Sequence, residues 1–162
     1  MLVFTLRPVT QADMSQIIQI DEDVFAPYGT AESPAVIRAR QDVFPQGFVV
    51  ALAEGHIVGY GSAELWQEMR EPGLDEDPHI THVPQGRILC ITGMAVMESY
   101  QQRGIGTAMT QYLIEVARAH TCHTIVLETT HARAFYQRLG FRVISQRQER
   151  GVKLFVMALR LV

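Results

Sequence analysis

Two glycines, Gly104 and Gly106, are separated by one residue in the segment YQQRGIGTAM, after a strand-like apolar run and before a helix-like pattern. A strand, a glycine-rich turn and a helix bring unpaired backbone N–H groups and the positive end of the helix dipole together, and an anion binds readily there. Because glycine has no Cβ, the backbone of such a turn can approach a phosphate closely. The segment therefore predicts a phosphate-binding loop.

Different phosphate-binding loops require different neighbouring residues. A P-loop needs a lysine followed by serine or threonine at the start of the helix, and here Gly106 is followed by Thr107 and Ala108, which excludes it. A dinucleotide-binding turn fits in part, because Glu128 lies about 20 residues further on, where a ribose-binding acid belongs. Met109 at the third glycine position and the long lead-in to the loop disfavour it. A nicotinamide-dependent oxidoreductase stays an alternative.

A third kind of loop is indicated by the segments on either side of the glycines. The pattern Gln101-x-x-Gly104-x-Gly106 follows a strand ending in MAV, and the segments ARAFY and LGF stand downstream. Together they resemble the acetyl-CoA loop and the closing helix of the GNAT superfamily of N-acetyltransferases, over about residues 88–141. The resemblance implies that acetyl-CoA is the co-substrate.

The resemblance also implies where acetyl-CoA would bind. Backbone amides of residues 102–107 would cradle its pyrophosphate, and residues 94–96 would pair with its pantetheine arm between two splayed strands. The implied donor-binding residues are Met94, Ala95, Val96, Gln101, Gln102, Arg103, Gly104, Ile105, Gly106, Thr107 and Phe135.

Tyr136 occupies the general-acid position of the resembled family. In direct transfer to an amine, collapse of the tetrahedral intermediate expels a thiolate, which benefits from a proton donor. A phenol with a pKa of ~10 is neutral and able to donate at neutral pH. The competing interpretation is a core tyrosine whose hydroxyl is satisfied within the fold.

The general base is not identified by the sequence. A lysine-like amine has a pKa of ~10.4 and must lose a proton before attack. Some members of the resembled family carry a glutamate on the fourth strand, but here that region reads ILCITGM, with Cys90 near the position. The open candidates are a water chain to bulk solvent and the side chains of Glu64, Glu68, His79, His82 and Glu128.

The acceptor is expected to be a small-molecule or peptide amine. The resemblance places its pocket at the connection between the first two helices and at the long loop of residues 67–87. The candidate substrate residues are Phe25, Tyr28, Glu64 and His82. A non-catalytic acyl-CoA-binding sensor or regulatory domain is the alternative from another functional class, supported by the missing strand-four glutamate.

The order of predicted elements agrees with that family. One strand is followed by two helices, a hairpin around Gly55, the long Pro-, Gly- and acid-rich loop, and a strand over 88–96. A helix, a short buried strand, a brief helix before Gly140 and a final hairpin complete the chain. The expected fold is α/β (α+β), a mixed and mostly antiparallel seven-stranded sheet, flanked by four helices and splayed between strands 4 and 5.

The length and composition of the 162 residues predict one domain, and the resemblance implies an acetyltransferase domain over 1–162. A net charge of −3 without a polybasic tract indicates neither nucleic acid nor an anionic membrane as partner. Two cysteines and an N-terminus without signal-peptide features favour a cytoplasmic protein. The histidine pairs near residues 79 and 120 match no structural zinc spacing, so no metal is expected. A homodimer stays open.

Overall fold

The computed structural model describes residues 2–162 and places seven strands and five α-helices there. The strands are β1 (Phe4–Pro8), β2 (Phe48–Ala53), β3 (His56–Trp66), β4 (Ile88–Val96), β5 (Thr124–Thr129), β6 (Arg142–Glu149) and β7 (Val152–Arg160). The helices are α1 (Met14–Phe25), α2 (Pro34–Val43), α3 (Pro78–Thr81), α4 (Ile105–Ala119) and α5 (Arg133–Arg138).

All seven strands form one sheet in the order β1-β2-β3-β4-β5-β7-β6. The β4–β5 pair is parallel, and the other pairs are antiparallel. The predicted mixed, mostly antiparallel sheet is therefore confirmed. The one addition is α3, a single turn inside the long loop that was expected to lack regular structure. Asp77 caps this turn by accepting a hydrogen bond from the His79 N–H at 3.0 Å, and Pro78 occupies its first position.

Helices cover both faces of the sheet because the strands are apolar on both sides. On one face Met14, Ile17 and Ile37 from α1 and α2 pack against Val50 and Tyr60. On the other face Leu113 of α4 lies in a core cluster with Leu65, Leu89, Ile91 and Ile125. A sheet buried on both faces holds its strands rigidly, so the ends of β4 and β5 are fixed in space.

The sheet divides where β4 and β5 separate. Their pairing covers only three residues of each strand and ends at Cys90 opposite Val126. Beyond it, β4 bulges against β3, because Ser62 pairs with Gly93 and Ala63 with Ile91, which leaves Thr92 without an opposite residue. A bulge bends its strand and increases its local twist. The predicted splay between strands 4 and 5 is thus present, and it opens a cleft through the sheet.

Gly93 is required at this bend for a steric reason. A Cβ placed on it would lie 2.5 Å from the hydroxyl oxygen of Tyr60, a side chain that is fully buried. That distance is much shorter than a van der Waals contact, and the Tyr60 hydroxyl is fixed by a hydrogen bond to Asp21. Close packing of the Tyr60 ring against the bulged strand therefore depends on glycine.

Candidate active site

A cavity occupies the cleft between β4 and β5 and reaches the helices on the α1–α2 face. Its lining combines strand residues such as Glu64, Cys90 and Thr92 with Arg40 from α2 and Tyr136 from α5. The loop of residues 72–76 and the turn after β5 complete its wall. One cavity therefore brings together titratable side chains from segments that are far apart in the sequence.

The glycine loop lies at the N-terminus of α4. Gly104 is the N-cap residue and has φ +89°, in the left-handed region that favours glycine. The first backbone hydrogen bond of the helix runs from the Ala108 N–H to the Gly104 carbonyl at 3.0 Å, and within residues 2–162 the amides of 102–107 donate to no backbone carbonyl. The side chain of Gln101 fixes the entrance by donating to the Val96 carbonyl at 2.9 Å. Free amides at a helix start form an anion site.

Phe135 closes the other side of this loop. Its ring lies 3.3 Å from where a Cβ on Gly106 would stand, so α5 packs directly on the first turn of α4. The sequence motifs around Gly106 and Phe135, about 30 residues apart, are thus in contact. A larger residue at 106 would displace the Phe135 ring.

The C-terminal part of β4 has one free edge. Residues Met94, Ala95 and Val96 pair with Gly61, Tyr60 and Gly59 of β3 on one side. On the side toward β5, pairing within the described residues stops at Cys90. An unpaired strand edge offers backbone donors and acceptors to an extended ligand.

Tyr136 lies in α5 with only 6% of its surface exposed. Its ring packs edge-on against Phe135 and Phe141, with centroid distances of 4.9 and 5.5 Å. The residue lines the cavity, and no side chain or backbone group among residues 2–162 hydrogen-bonds to its hydroxyl. Burial raises the pKa of the Tyr136 phenol. The hydroxyl is therefore neutral and has an uncommitted proton.

Glu64 lies on β3 opposite Cys90, near the β4 position where some members of the resembled family carry a glutamate. It pairs in register with Cys90, so the two side chains lie on one face of neighbouring strands, and both line the cavity. The carboxylate accepts hydrogen bonds at 2.8 Å from the Trp66 indole and the Thr81 hydroxyl. Burial raises the pKa of the Glu64 carboxyl, and these two hydrogen bonds partly offset the rise.

The other base candidates are placed less favourably. Glu68 and His79 are exposed outside the cavity lining. The imidazole Nδ1 of His82 accepts the Leu65 N–H at 3.1 Å, and His82 does not line the cavity. Glu128 does line it but is held by two hydrogen bonds from Arg147, at 2.6 and 2.7 Å. Of the acids and histidines considered, Glu64 alone combines access to the cavity with a carboxylate free of a cationic partner.

An aromatic corner forms the mouth of the cavity. Phe25 lines the cavity, whereas Tyr28 is 42% exposed, does not line it and stacks on His131 with ring centroids 3.8 Å apart. Partial desolvation beside the cavity lowers the pKa of the His131 imidazole. Sequence reasoning missed His131, although it directly precedes the ARAFY motif, and it missed Arg40 as a site residue, although a charge there interrupts the apolar stripe of α2.

The dinucleotide alternative finds no support in this geometry. Glu128, the proposed ribose-binding acid, is occupied by Arg147, and Met109, in place of the third glycine, is fully buried in the core beneath the loop. Among residues 2–162, no three His, Cys, Asp or Glu side chains are placed to hold a metal ion. In the same range no helix has the length and apolarity needed to cross a membrane.

Comparison with known proteins decides the family. A model of the acetyltransferase (GNAT) family matches residues 14–141, most of the chain. The chain belongs to the GNAT family. The resemblance found in the loop and in the closing helix is thereby confirmed, and the match extends upstream to include α1, α2 and the first hairpin.

Relatives agree with this assignment. The uncharacterized N-acetyltransferase YkwB of Bacillus subtilis (strain 168) is 27% identical over 122 residues, which are 69% of this chain and 54% of YkwB. The chain thus spans about half the length of that curated relative.

Two solved structures share the fold. One is yncA of Salmonella typhimurium with its cofactor acetyl-CoA, at 21% identity and a TM-score of 0.71, covering 98% of this chain and 94% of that one. The other is the GNAT-like decarboxylase GphF in complex with isobutyryl-CoA, at 16% identity and a TM-score of 0.80, covering 96% and 98%. At these identities the likeness concerns the fold alone.

Proposed function

We propose that residues 1–162 act as one acetyltransferase domain that moves the acetyl group of acetyl-CoA to a primary amine by direct attack. The observation that carries the proposal is the meeting of three features at one cleft. The free edge of β4 and Tyr136 lie at the gap between β4 and β5, and the anion-binding start of α4 packs against Phe135, the residue next to Tyr136.

The donor half of the site would be made of backbone. The free amides of 102–107 would bind the pyrophosphate, and the open edge of residues 94–96 would hold the pantetheine arm. A backbone N–H on that edge would face the thioester oxygen, where negative charge develops in the transition state. The ring of Phe135 would support the loop from below.

The acceptor half would prepare the nucleophile. Glu64 would take a proton from the incoming ammonium group, which leaves the nitrogen lone pair free for attack on the thioester carbon. Because the pKa of the Glu64 carboxyl is raised, it lies nearer to pH 7 than that of an ordinary glutamate. A general base works best when its pKa is close to the working pH. Cys90 cannot take the role, because burial raises the pKa of its thiol.

Tyr136 would complete the reaction. When the tetrahedral intermediate collapses, the C–S bond breaks and the departing thiolate takes the phenol proton. The products are an N-acetylated amine and free CoA, and the Tyr136 phenolate is reprotonated from solvent. The absence of a competing hydrogen bond among residues 2–162 leaves the hydroxyl available for this transfer.

The donor is tested first by thermal stability. A ligand at ~100 times its dissociation constant stabilises the native state by ~2.7 kcal/mol, which raises the melting temperature by roughly 5–10 °C for a chain of this length. We expect this shift with acetyl-CoA and none with NADH. Stabilisation by NADH alone would reject the proposal in favour of the oxidoreductase.

Turnover separates the enzyme from a sensor. Release of free CoA, followed with a thiol reagent across a panel of amines, is expected with at least one amine class. Tight acetyl-CoA binding without CoA release on any amine would favour the non-catalytic acyl-CoA-binding domain.

A further inference from the structure

Arg40 is the cationic side chain in the cavity lining, and its hydrogen-bonding capacity is only partly used. It lies on α2 with 4% of its surface exposed. Its Nη2 donates to Glu32 at 2.6 Å. Its Nε and Nη1 are buried and have no hydrogen-bond partner among residues 2–162. A guanidinium carries five N–H donors, and burying donors without acceptors destabilises a fold.

The neighbouring acid does not satisfy these donors. Asp21 is buried close to Arg40, but one of its oxygens accepts the Tyr60 hydroxyl at 2.5 Å and the other accepts the Glu32 backbone N–H at 3.1 Å. The geometry therefore leaves Arg40 with one direct anionic partner. A planar guanidinium with unused donors is suited to a carboxylate.

Glu64 is a carboxylate in the same cavity that has no cationic partner in the described part of the chain. Three other lining carboxylates are each paired with an arginine, at 2.6 to 2.9 Å: Glu32 with Arg40, Glu76 with Arg70 and Glu128 with Arg147. Within residues 2–162, Glu64 is hydrogen-bonded only by neutral groups. The cavity thus holds one carboxylate without a cation and one guanidinium with unused donors.

The two groups are near each other without touching. Arg40 and Glu64 both line the same cavity, Arg40 from α2 and Glu64 from β3. The two side chains nevertheless form no ion pair. A gap that separates an anion from a cation matches a small molecule that carries both charges.

We propose that the acceptor is a small free amino acid, with its ammonium group at Glu64 and its carboxylate at Arg40. This inference rests on the acetyltransferase function proposed above and narrows its acceptor. A polyamine fits less well, because its second cation would face the cation of Arg40. A peptide fits less well, because its N-terminal residue carries no α-carboxylate that could bind Arg40. The lining also includes Phe25, Leu127 and Leu154, so an apolar side chain on the amino acid fits best.

The first test varies the acceptor and uses the unaltered protein. CoA release is measured with apolar amino acids, with their carboxamides and with the matching amines that lack the carboxylate. Loss of a hydrogen-bonded charge is expected to lower kcat/KM by about 10- to 100-fold for both neutralised series. Equal rates for the three series, or a preference for polyamines or peptides, would overturn the inference and leave the proposed acetyltransferase intact.

The second test changes the arginine. In Arg40→Met and Arg40→Lys, the ratio of kcat/KM for an amino acid to that for its carboxamide is expected to fall, toward one in the methionine variant. The Kd of acetyl-CoA reports whether the donor half is still folded. Arg7→Met is the matched control, because Arg7 pairs with Asp13 away from the cavity and should keep the ratio unchanged. An unchanged ratio in folded Arg40→Lys and Arg40→Met would overturn the inference.

The third test asks whether Arg40 binds a carboxylate on the acyl group of the donor instead of one on the acceptor. If it does, malonyl-CoA incubated without any amine will release carbon dioxide and leave acetyl-CoA. That result, with no N-acetyl product from any amine, would overturn both the amino acid assignment and the proposed acetyltransferase. Acetyl transfer to amino acids with malonyl-CoA left unchanged supports both.

Discussion

The two halves of the cleft are built from different materials. The proposed donor half is mostly backbone: the amides of 102–107 and the free edge of residues 94–96. The proposed acceptor half is mostly side chains, above all Arg40 and Glu64, brought in from α2 and β3. Backbone geometry imposes glycines at fixed spacing, whereas a pocket of side chains imposes no common spacing. The donor half therefore leaves a recognisable motif, and the acceptor half does not.

Tyr136 lies where the two halves meet, and its substitution should have the largest effect. Tyr136→Phe keeps the buried ring but removes the proton donor, so kcat should fall by about 10²- to 10⁴-fold. The Kd of acetyl-CoA should change little, because the backbone groups of residues 94–96 and 102–107 are proposed to hold the donor. Tyr112→Phe, a half-buried tyrosine on α4 outside the cavity lining, is the control. Equal rates for Tyr136→Phe and Tyr112→Phe would assign Tyr136 to the core alone.

The proposed role of Glu64 as general base can be tested by the pH dependence of kcat/KM. Because burial raises the pKa of this carboxyl above its ordinary value of 4.5, the base is lost as pH falls through that raised value. The kcat/KM of the unaltered protein should therefore decline on acidification at a pH above 4.5.

Glu64→Gln should lower kcat/KM by about 10²-fold and remove that acid limb. Glu68→Gln, at an exposed position outside the cavity lining, should preserve both the rate and the limb. If the acid limb of the pH profile persists in Glu64→Gln, the general base is another group or water.

Gly104 tests the donor half, with a smaller expected effect. Its φ of +89° disfavours any β-branched side chain, so Gly104→Val should distort the loop. We expect acetyl-CoA to bind about tenfold more weakly, while preference among acceptors stays the same. Gly151→Val in the last hairpin is the matched control, since Gly151 also has a positive φ and open space around it. If both variants lower stability equally and neither weakens donor binding, the loop does not hold the donor.

The sequence allowed much of the fold to be predicted and only part of the site. The loop around Gly104 and the position of Tyr136 could be recognised because both lie in short, contiguous motifs. Helix α3 was missed because a single turn is too short to show periodicity, although Asp77-Pro78 is a helix-start signal.

The relation between Arg40 and Glu64 could not be predicted from spacing. It depends on α2 packing over β3 and on the register that sets Glu64 beside Cys90. The stacking of Tyr28 on His131 joins residues about 100 positions apart, and it is decided by where α1 ends relative to the turn after β5. Such contacts are set by tertiary packing, which leaves only weak local signals such as a charged residue within an apolar helix stripe.

The most direct test of the central claim is mass spectrometry of the products when the protein is incubated with acetyl-CoA and a mixture of amines that includes apolar free amino acids. The proposed function predicts an N-acetylated amine formed in equal amount with free CoA, with an amino acid as the main product. Acetyl-CoA that binds the protein but yields no acetylated amine would contradict it.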